Sequence, residues 1–337
     1  MKSTPIVSVV IPVYNCDAGI KQAIESVKAQ TLHDWELIIV DDGSKDSTKE
    51  LLDLIAKEDS RIRVAHQVNK GTYLARLTGM LMARGQYITT LDDDDTLDKK
   101  MLEEMYKIAD LHKLDILECE LSNIATNTGV LEITVGKDNV RERISKPQIF
   151  GGERYLCVCG KFYRREAIFS GKKLDDFEQC YLTTFDDALF NVQVFCSIES
   201  YGYIHIPYYQ YNINDSSSVR NYTSKTYDGL VVMIAMLGKY APKYGVDSAD
   251  KSLTKWALKN IYNDVVCVSV ANNLTFKESV HWLKLLLQAD VVKSAWQGSL
   301  IKEMPAKISI IYYLGKWVPA CILVLMFRIM GKVRGVR

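Results

Sequence analysis

Over the first 120 residues the hydrophobic pattern switches repeatedly between strand and helix periods. Ile6–Val13 is a β-branched run, suited to a strand covered on both faces. Ile20, Ala23, Ile24 and Val27 then recur at helical spacing, and Asp17 is placed to cap that helix. Trp35–Val40 predicts a second buried strand. Ser47 or Thr48 opens a second helix, with Leu51, Leu52 and Ile55 facing inward. Ile62–Ala65, Tyr87–Leu91 and Leu114–Cys119 predict three more strands, separated by helices over Leu74–Ala83 and Leu97–His112. This alternation predicts an α/β fold, a Rossmann-like, mostly parallel sheet flanked by helices. Ligands of such sheets sit beyond the carboxyl ends of the strands, so chemistry is expected just after each strand.

Beyond Ser122 the alternation weakens. Polar residues with Gly129 and Gly136 predict a hairpin or loops as far as Pro147. Tyr155–Phe162 and Tyr203–Tyr211 are strand-like, with a helix near Asp187–Cys196 between them. After about Tyr222 helical spacing takes over, in Leu230–Tyr240, Leu253–Val270 and Phe276–Leu287. The expected division is a main domain over 1–220, a helical C-terminal region over 221–305 and an apolar, basic tail over 306–337. In that tail, Ile308–Leu314 and Trp317–Phe327 are apolar, but the longest clean run is 11 residues. A membrane-crossing helix needs about 20. Eight Lys/Arg face one acid, Glu303, between Lys293 and Arg337. Tyr312, Tyr313 and Trp317 suit a membrane interface. The tail is therefore expected to lie on an anionic membrane surface; packing on the protein or in a dimer is the alternative.

Composition narrows the classes. Hydrophobic residues are 48% and charged residues 25%, which supports a core and excludes bulk disorder. The 42 basic and 41 acidic residues leave a net charge of +1, which excludes a polycationic nucleic-acid binder. None of the eight cysteines is in a C-x-x-C pair. Cys157 and Cys159 form the closest pair, C-x-C. With five His and no H-E-x-x-H, no zinc site is expected, and free thiols in a reducing cytosol are. Met1–Pro5 shows no signal-peptide pattern, so a cytoplasmic body is expected, peripheral on the inner face of the cell membrane.

Three acidic clusters fall at or near the carboxyl ends of strands: Asp41-Asp42-Gly43-Ser44, Asp92-Asp93-Asp94-Asp95 and Asp186-Asp187. Aspartates there commonly cap helices or make turns. Four in a row repel one another, and capping needs only one. A divalent cation would offset that repulsion, and oxygen-only ligands suit Mn²⁺ or Mg²⁺ holding substrate phosphates. There is no G-x-x-x-x-G-K-[ST], and the turn after the first strand is Pro12-Val13-Tyr14-Asn15 rather than G-x-G-x-x-G. Phosphates are therefore expected on a metal rather than on glycine amides.

Taken in order, these segments resemble family 2 glycosyltransferases of the GT-A fold, of the bacterial polysaccharide-biosynthesis type. The matching segments are Val7–Asn15, Asp41–Ser44, Asn69-Lys70-Gly71, Gly85–Ile88 leading into Leu91–Asp95, Gly160–Tyr163, Phe185–Phe190, and Tyr208–Tyr211 followed by Ser216–Ser218. The resemblance covers about residues 6–220. It implies a nucleotide-sugar half over 1–120 and an acceptor half over 121–220. It implies that Pro12, Tyr14, Asn15, Asp41, Asp42, Lys70, Gly71 and Asp93 bind the donor, a nucleoside-diphosphate sugar of the UDP type. Tyr14 is either a ring packed on uracil or an exposed turn aromatic, and Lys70 is either near the donor or a surface lysine. Asp94 is the implied metal ligand, with Asp92 a second ligand or the residue behind it. Asp95 or Thr96 is expected to cap the next helix.

Asp187 is the implied catalytic base, with helix capping as its alternative role. An inverting transfer needs one carboxylate to accept the acceptor's proton, and no enzyme nucleophile. The family's pair here is usually Glu-Asp, and this chain has Asp186-Asp187. The family often shows Ala-Arg-Asn after Asn69-Lys70-Gly71; here Ala75-Arg76 is kept and Leu77 stands third. Arg76 either reaches phosphate or lies on a solvated helix face. The implied acceptor is a glycan or lipid-linked oligosaccharide, with no nucleic acid and an oligomer possible. Rival classes are a sugar-nucleotidyltransferase, which usually needs a Gly-rich basic loop after the first strand, and a non-catalytic binding protein of the same fold.

Overall fold

The computed structural model describes residues 4–17, 19–122, 128–140, 157–173, 177, 186–212, 224–240, 254–255, 257–259, 261–263, 274–288, 292–293 and 300–333. The chain divides into two compact units, one ending at Ile213 and the other taking Asn214–Arg337 and a short earlier segment.

The first unit is built on one mixed sheet. Its strands are β1 (Val7–Val13), β2 (Trp35–Asp41), β3 (Ile62–His66), β4 (Tyr87–Thr90), β5 (Thr96–Leu97), β6 (Ile116–Leu121), β7 (Leu131–Val135), β8 (Lys161–Arg164) and β9 (Ser200–Gln210). Their spatial order is β3-β2-β1-β4-β8-β6-β9-β5, with β7 on β9. β1 is parallel to β2 and β4, and β2 is parallel to β3. Every residue of β1 and β2 is buried, as their apolar runs demand. β8 is antiparallel to both its neighbours, β4 and β6.

Helices α1 (Ile20–Lys28), α2 (Thr48–Glu58), α3 (Thr72–Met82) and α4 (Met101–Leu111) connect the strands, and α5 (Arg165–Phe169) and α6 (Asp186–Val194) flank the later ones. α3 lies closest to the sheet. A Cβ on Gly79 would sit 2.5 Å from Val10 Cγ1, so only glycine allows this approach.

Several boundaries move. The strand expected over Tyr155–Phe162 begins at Lys161; residues 155–156 lie outside the described residues. α4 starts at Met101, not Leu97, because Thr96–Leu97 pairs with β9. Asp17 does not cap α1: Gly19 stands at that position, and Asp17 Oδ2 accepts from Ser47 Oγ at 2.7 Å.

In the second unit, α7 (Ser224–Tyr240) and α8 (Phe276–Gln288) are helical where the spacing predicts helices, α7 starting earlier than Leu230, and the apolar tail forms α9 (Ala306–Trp317) and α10 (Ala320–Val333). The helix expected over Leu253–Val270 lies partly outside the described residues. The tail breaks at Val318-Pro319, whereas Gly315 stays inside α9 and gives room to Leu287. Ile308, Ile311 and Tyr312 of α9 and Leu323, Val324 and Phe327 of α10 are buried. Their other faces are also apolar and exposed: Ile310, Tyr313 and Trp317, then Ile322, Leu325, Met326 and Ile329. Among the described residues no helix is long and apolar enough to cross a membrane.

Candidate active site

The β1–β4 ladder ends at Val10 and Thr90, whereas the β1–β2 ladder runs on to Val13 and Asp41. Beyond Val10 the two strands part, at the point where strand order reverses. Such a crevice is where open α/β sheets bind ligands. Pro12 is buried just past the last β4 partner, where its missing N–H leaves no bond to β4 unmade. Tyr14 follows with 43% of its surface exposed. Asn15 takes a left-handed φ of 52°, which asparagine tolerates better than most residues. Its Oδ1 accepts from Lys45 N at 2.8 Å and its N–H donates to Ser44 Oγ at 3.0 Å, tying this loop to the turn after β2.

In that turn both aspartates are buried and engaged by the protein. Asp41 accepts from Ser44 N at 2.9 Å and meets His66 Nδ1 at 2.8 Å. Burial pushes its carboxyl up, but these bonds outweigh burial and hold it below the usual range. Asp42 accepts from Gln67 Nε2 at 2.7 Å and from the N–H groups of Lys70 and Gly71, each at 2.8 Å. Asp42 thus shapes the turn carrying Lys70, whose side chain is exposed, and Gly71, whose φ of 88° requires glycine.

Across the crevice, burial dominates the turn after β4. Burial, then the charges of Asp92 and Asp94, push the Asp93 carboxyl up to about 7. Cys16 Sγ lies 3.9 Å from the Asp93 carbonyl, so this turn touches the loop after β1. Asp95 is also pushed up to about 7, chiefly by burial. It does not cap α4. It accepts from Tyr209 Oη at 2.7 Å and Asn212 N at 2.8 Å, pinning the end of β9, and Tyr209 Oη in turn accepts from Asp92 N. Asp94 is exposed.

Arg76 joins the two acidic regions. It is 4% exposed, not on a solvated helix face. Its Nη2 donates to Asp92 Oδ1 at 3.0 Å and its Nη1 to Asp187 Oδ1 at 2.8 Å. Tyr73, Leu74, Ala75, Leu77 and Met80 surround it on α3 and are all buried. That apolar context was the available signal for a buried arginine. Asp187 lies in the first turn of α6, and its Oδ2 accepts from Val158 N at 3.2 Å.

Val158 belongs to a turn that sequence reasoning missed. Cys157 and Cys159 do not lie in a strand, because β8 begins only at Lys161. They flank Val158 ahead of β8, and Cys159 N–H points at Cys157 Sγ at 3.4 Å. Cys159 Sγ lies 3.6 Å from Asp92 Oδ2. The hydrogen bond with Cys157 and then burial hold the Cys159 thiol well above its usual range.

The structure therefore gathers Asp92, Asp187 and Arg76 into one cluster, with the Tyr14–Asn15 loop and the Asp93 turn in contact beside it. Residues 8–169 match the family model of glycosyl transferase family 2. EpsH of Bacillus subtilis (strain 168) is 31% identical over 229 residues, covering 67% of this chain and 66% of EpsH. The chain belongs to glycosyl transferase family 2. GlyG, a glycosyltransferase of Streptococcus pneumoniae serotype 4, is another relative, 37% identical over 187 residues, or 51% of this chain and 62% of GlyG. The chain thus spans just under two thirds of either relative. Among solved structures, S. aureus TarS 1–349 in complex with UDP-GlcNAc superposes with a TM-score of 0.64 at 17% identity, covering 98% of this chain and 92% of that one. The shared architecture is the GT-A fold, with a helical C-terminal region in this family 2 chain.

Proposed function

We propose that this family 2 protein is an inverting, metal-dependent glycosyltransferase. It moves a sugar from a nucleoside-diphosphate sugar, of the UDP type, to a hydroxyl of a glycan or lipid-linked oligosaccharide in surface-polysaccharide synthesis. One observation carries this reading: the buried Arg76 guanidinium holds both Asp92, from the donor side, and Asp187, from a helix 111 positions further on. A fixed cation between the two carboxylates sets their spacing before substrate arrives.

In this reading Asp187 accepts the proton of the attacking hydroxyl, with Arg76 and Val158 N–H fixing its orientation. Asp92 and Asp94 would hold Mn²⁺ or Mg²⁺. The donor set fits a hard divalent cation, since it offers adjacent carboxylate oxygens; burial, and then the charges of Asp92 and Asp94, raise Asp93 between them. When bound, the ion supplies positive charge to the departing diphosphate. Tyr14 offers an exposed ring to a base, and Pro12, Asn15, Asp41, Asp42, Lys70, Gly71 and Asp93 line or shape the same crevice. TarS, of the same fold, is crystallised with UDP and with UDP-GlcNAc, which makes UDP the first donor class to test.

The doubly apolar helices α9 and α10, followed by a basic tail, support a cytoplasmic protein bound to the inner face of the cell membrane. Co-sedimentation with anionic vesicles should exceed that with neutral ones, and Trp317→Ser should weaken it.

The primary test is thermal unfolding with UDP or GDP, each with and without Mn²⁺. A ligand at 100 times its dissociation constant adds about 2.7 kcal/mol, enough to raise the Tm by a few degrees. The expected shift needs UDP and Mn²⁺ together and disappears in Asp94→Asn. Asp187→Asn should keep the shift and lose transfer by roughly 100-fold or more. An Asp187→Asn protein that still transfers sugar overturns the base assignment.

A further inference from the structure

The turn before β8 has the makings of a second cation site of different chemistry. The ligand atoms of Cys157, Cys159 and Asp187 all lie within 4.8 Å of one another. Two sulfurs and one carboxylate oxygen are a ligand set for zinc-class ions, and not for Mn²⁺ or Mg²⁺. Around a tetrahedral zinc such atoms sit about 3.5–3.8 Å apart, so these three need close by only about 1 Å.

The surroundings hold this arrangement. The Cys157 carbonyl accepts from Lys161 Nζ at 2.6 Å and from Asn191 Nδ2 at 3.1 Å, and both donors are fully buried. Val158 N–H, between the two cysteines, fixes the Asp187 carboxylate that completes the set. Gly160 closes the turn at a φ of 70°, where an added Cβ would lie 3.2 Å from the Cys119 carbonyl oxygen. Supporting groups around the ligands are what metal sites use to orient them.

Charge also balances. A Zn²⁺ ion held by two thiolates, whose protons leave to solvent, adds no net charge beside the Arg76–Asp92 and Arg76–Asp187 ion pairs.

We propose that Cys157, Cys159 and Asp187 form a binding site for a thiophilic divalent cation of the zinc class. The cation would occupy the carboxylate read above as the base, so it would inhibit transfer. That consequence rests on the proposed function, whereas the binding does not.

The test uses the purified full chain and Co²⁺ as a spectroscopic probe, with no sugar donor present. The expected result is a near-ultraviolet sulfur-to-cobalt charge-transfer band that Zn²⁺ displaces. The band should vanish in Cys157→Ser/Cys159→Ser and persist in Cys196→Ser and Cys321→Ser. Absence of the band in the unaltered protein, or its survival in the double variant, overturns the site. Because the double variant can misfold, alkylation of the unaltered protein provides a second measurement. Zn²⁺ should slow iodoacetamide labelling of Cys157 and leave Cys196 labelling unchanged; equal rates with and without Zn²⁺ overturn the site. Saturating Zn²⁺ beside Mn²⁺ should then lower transfer by about 100-fold or more, the lower end of what a general base contributes. A cobalt band without inhibition upholds the cation site and overturns the role given to Asp187.

Discussion

The acidic turns after β2 and β4 open from neighbouring parts of one sheet, yet the protein treats them in opposite ways. At Asp41-Asp42, backbone amides, Gln67 and His66 face the carboxylates, and Asp41 is held below its ordinary range. At Asp92–Asp95, burial and mutual repulsion push Asp93 and Asp95 up to about 7. The first turn is finished by its own chain. In the second, burial and like charge outweigh the hydrogen bonds to Asp93 and Asp95. Two clusters of aspartate thus differ in whether hydrogen bonding or burial decides the state of the carboxyl.

The largest effect should come from removing the cation the second turn already has. Arg76→Met strands Asp92 and Asp187. Breaking a fully buried pair costs about 3–5 kcal/mol, and the partial exposure of both carboxylates should reduce this to about 2–3 kcal/mol. A lowered urea midpoint, together with lost transfer, is the expected outcome. Unchanged transfer in that variant would break the link between the two acidic regions.

A smaller effect contrasts the turns directly. Asp42→Asn sets an amide against donors and should cost about 1–3 kcal/mol. Asp94→Asn, on an exposed residue, should stay within about 0.5 kcal/mol of the parent. Urea midpoints that reverse this order would show that hydrogen bonding to the carboxylates does not distinguish the turns.

The smallest effect is a pH dependence at the first turn. Burial pushes His66 down, but Asp41 and Asp53 outweigh it and raise it above its usual 6.5. Its contribution is therefore full below pH 6.5 and lost as pH rises through the raised value. Asp41, lowered from 3.8, contributes above that pH and fails as acid passes its lowered value. His66→Gln should flatten the stability profile above pH 6.5, by at most about 1 kcal/mol.

Much of this was legible in the residues. The strand and helix periods of the first 120 positions gave β1–β4 and β6 to within a few residues, and the runs of aspartate marked the crevice. What escaped has physical reasons. β5 is two residues long, too short for any period, so Asp95 looked like a helix cap when it anchors β9. Arg76 is polar on a helix buried nearly all round, and no pairing rule names a partner 111 positions away. The Cys157–Gly160 turn was missed because Tyr155–Phe162 reads as one continuous strand. β8 runs antiparallel, with Phe162 opposite Thr89, so the residues before it reach the carboxyl end of β4.

The separation between Arg76 and Asp187 also sets an order of assembly. β1 pairs with β2 and β4, and β2 with β3, so this part of the sheet has all its partners in the chain before Asp187 is made. The loop of 111 positions between Arg76 and Asp187 can close only after that, at a chain-entropy cost that grows with the logarithm of its length. During synthesis, the acidic turn after β4 emerges long before its distant carboxylate partner. A nascent chain therefore carries its acidic turn for many residues before the Arg76–Asp187 pair can form.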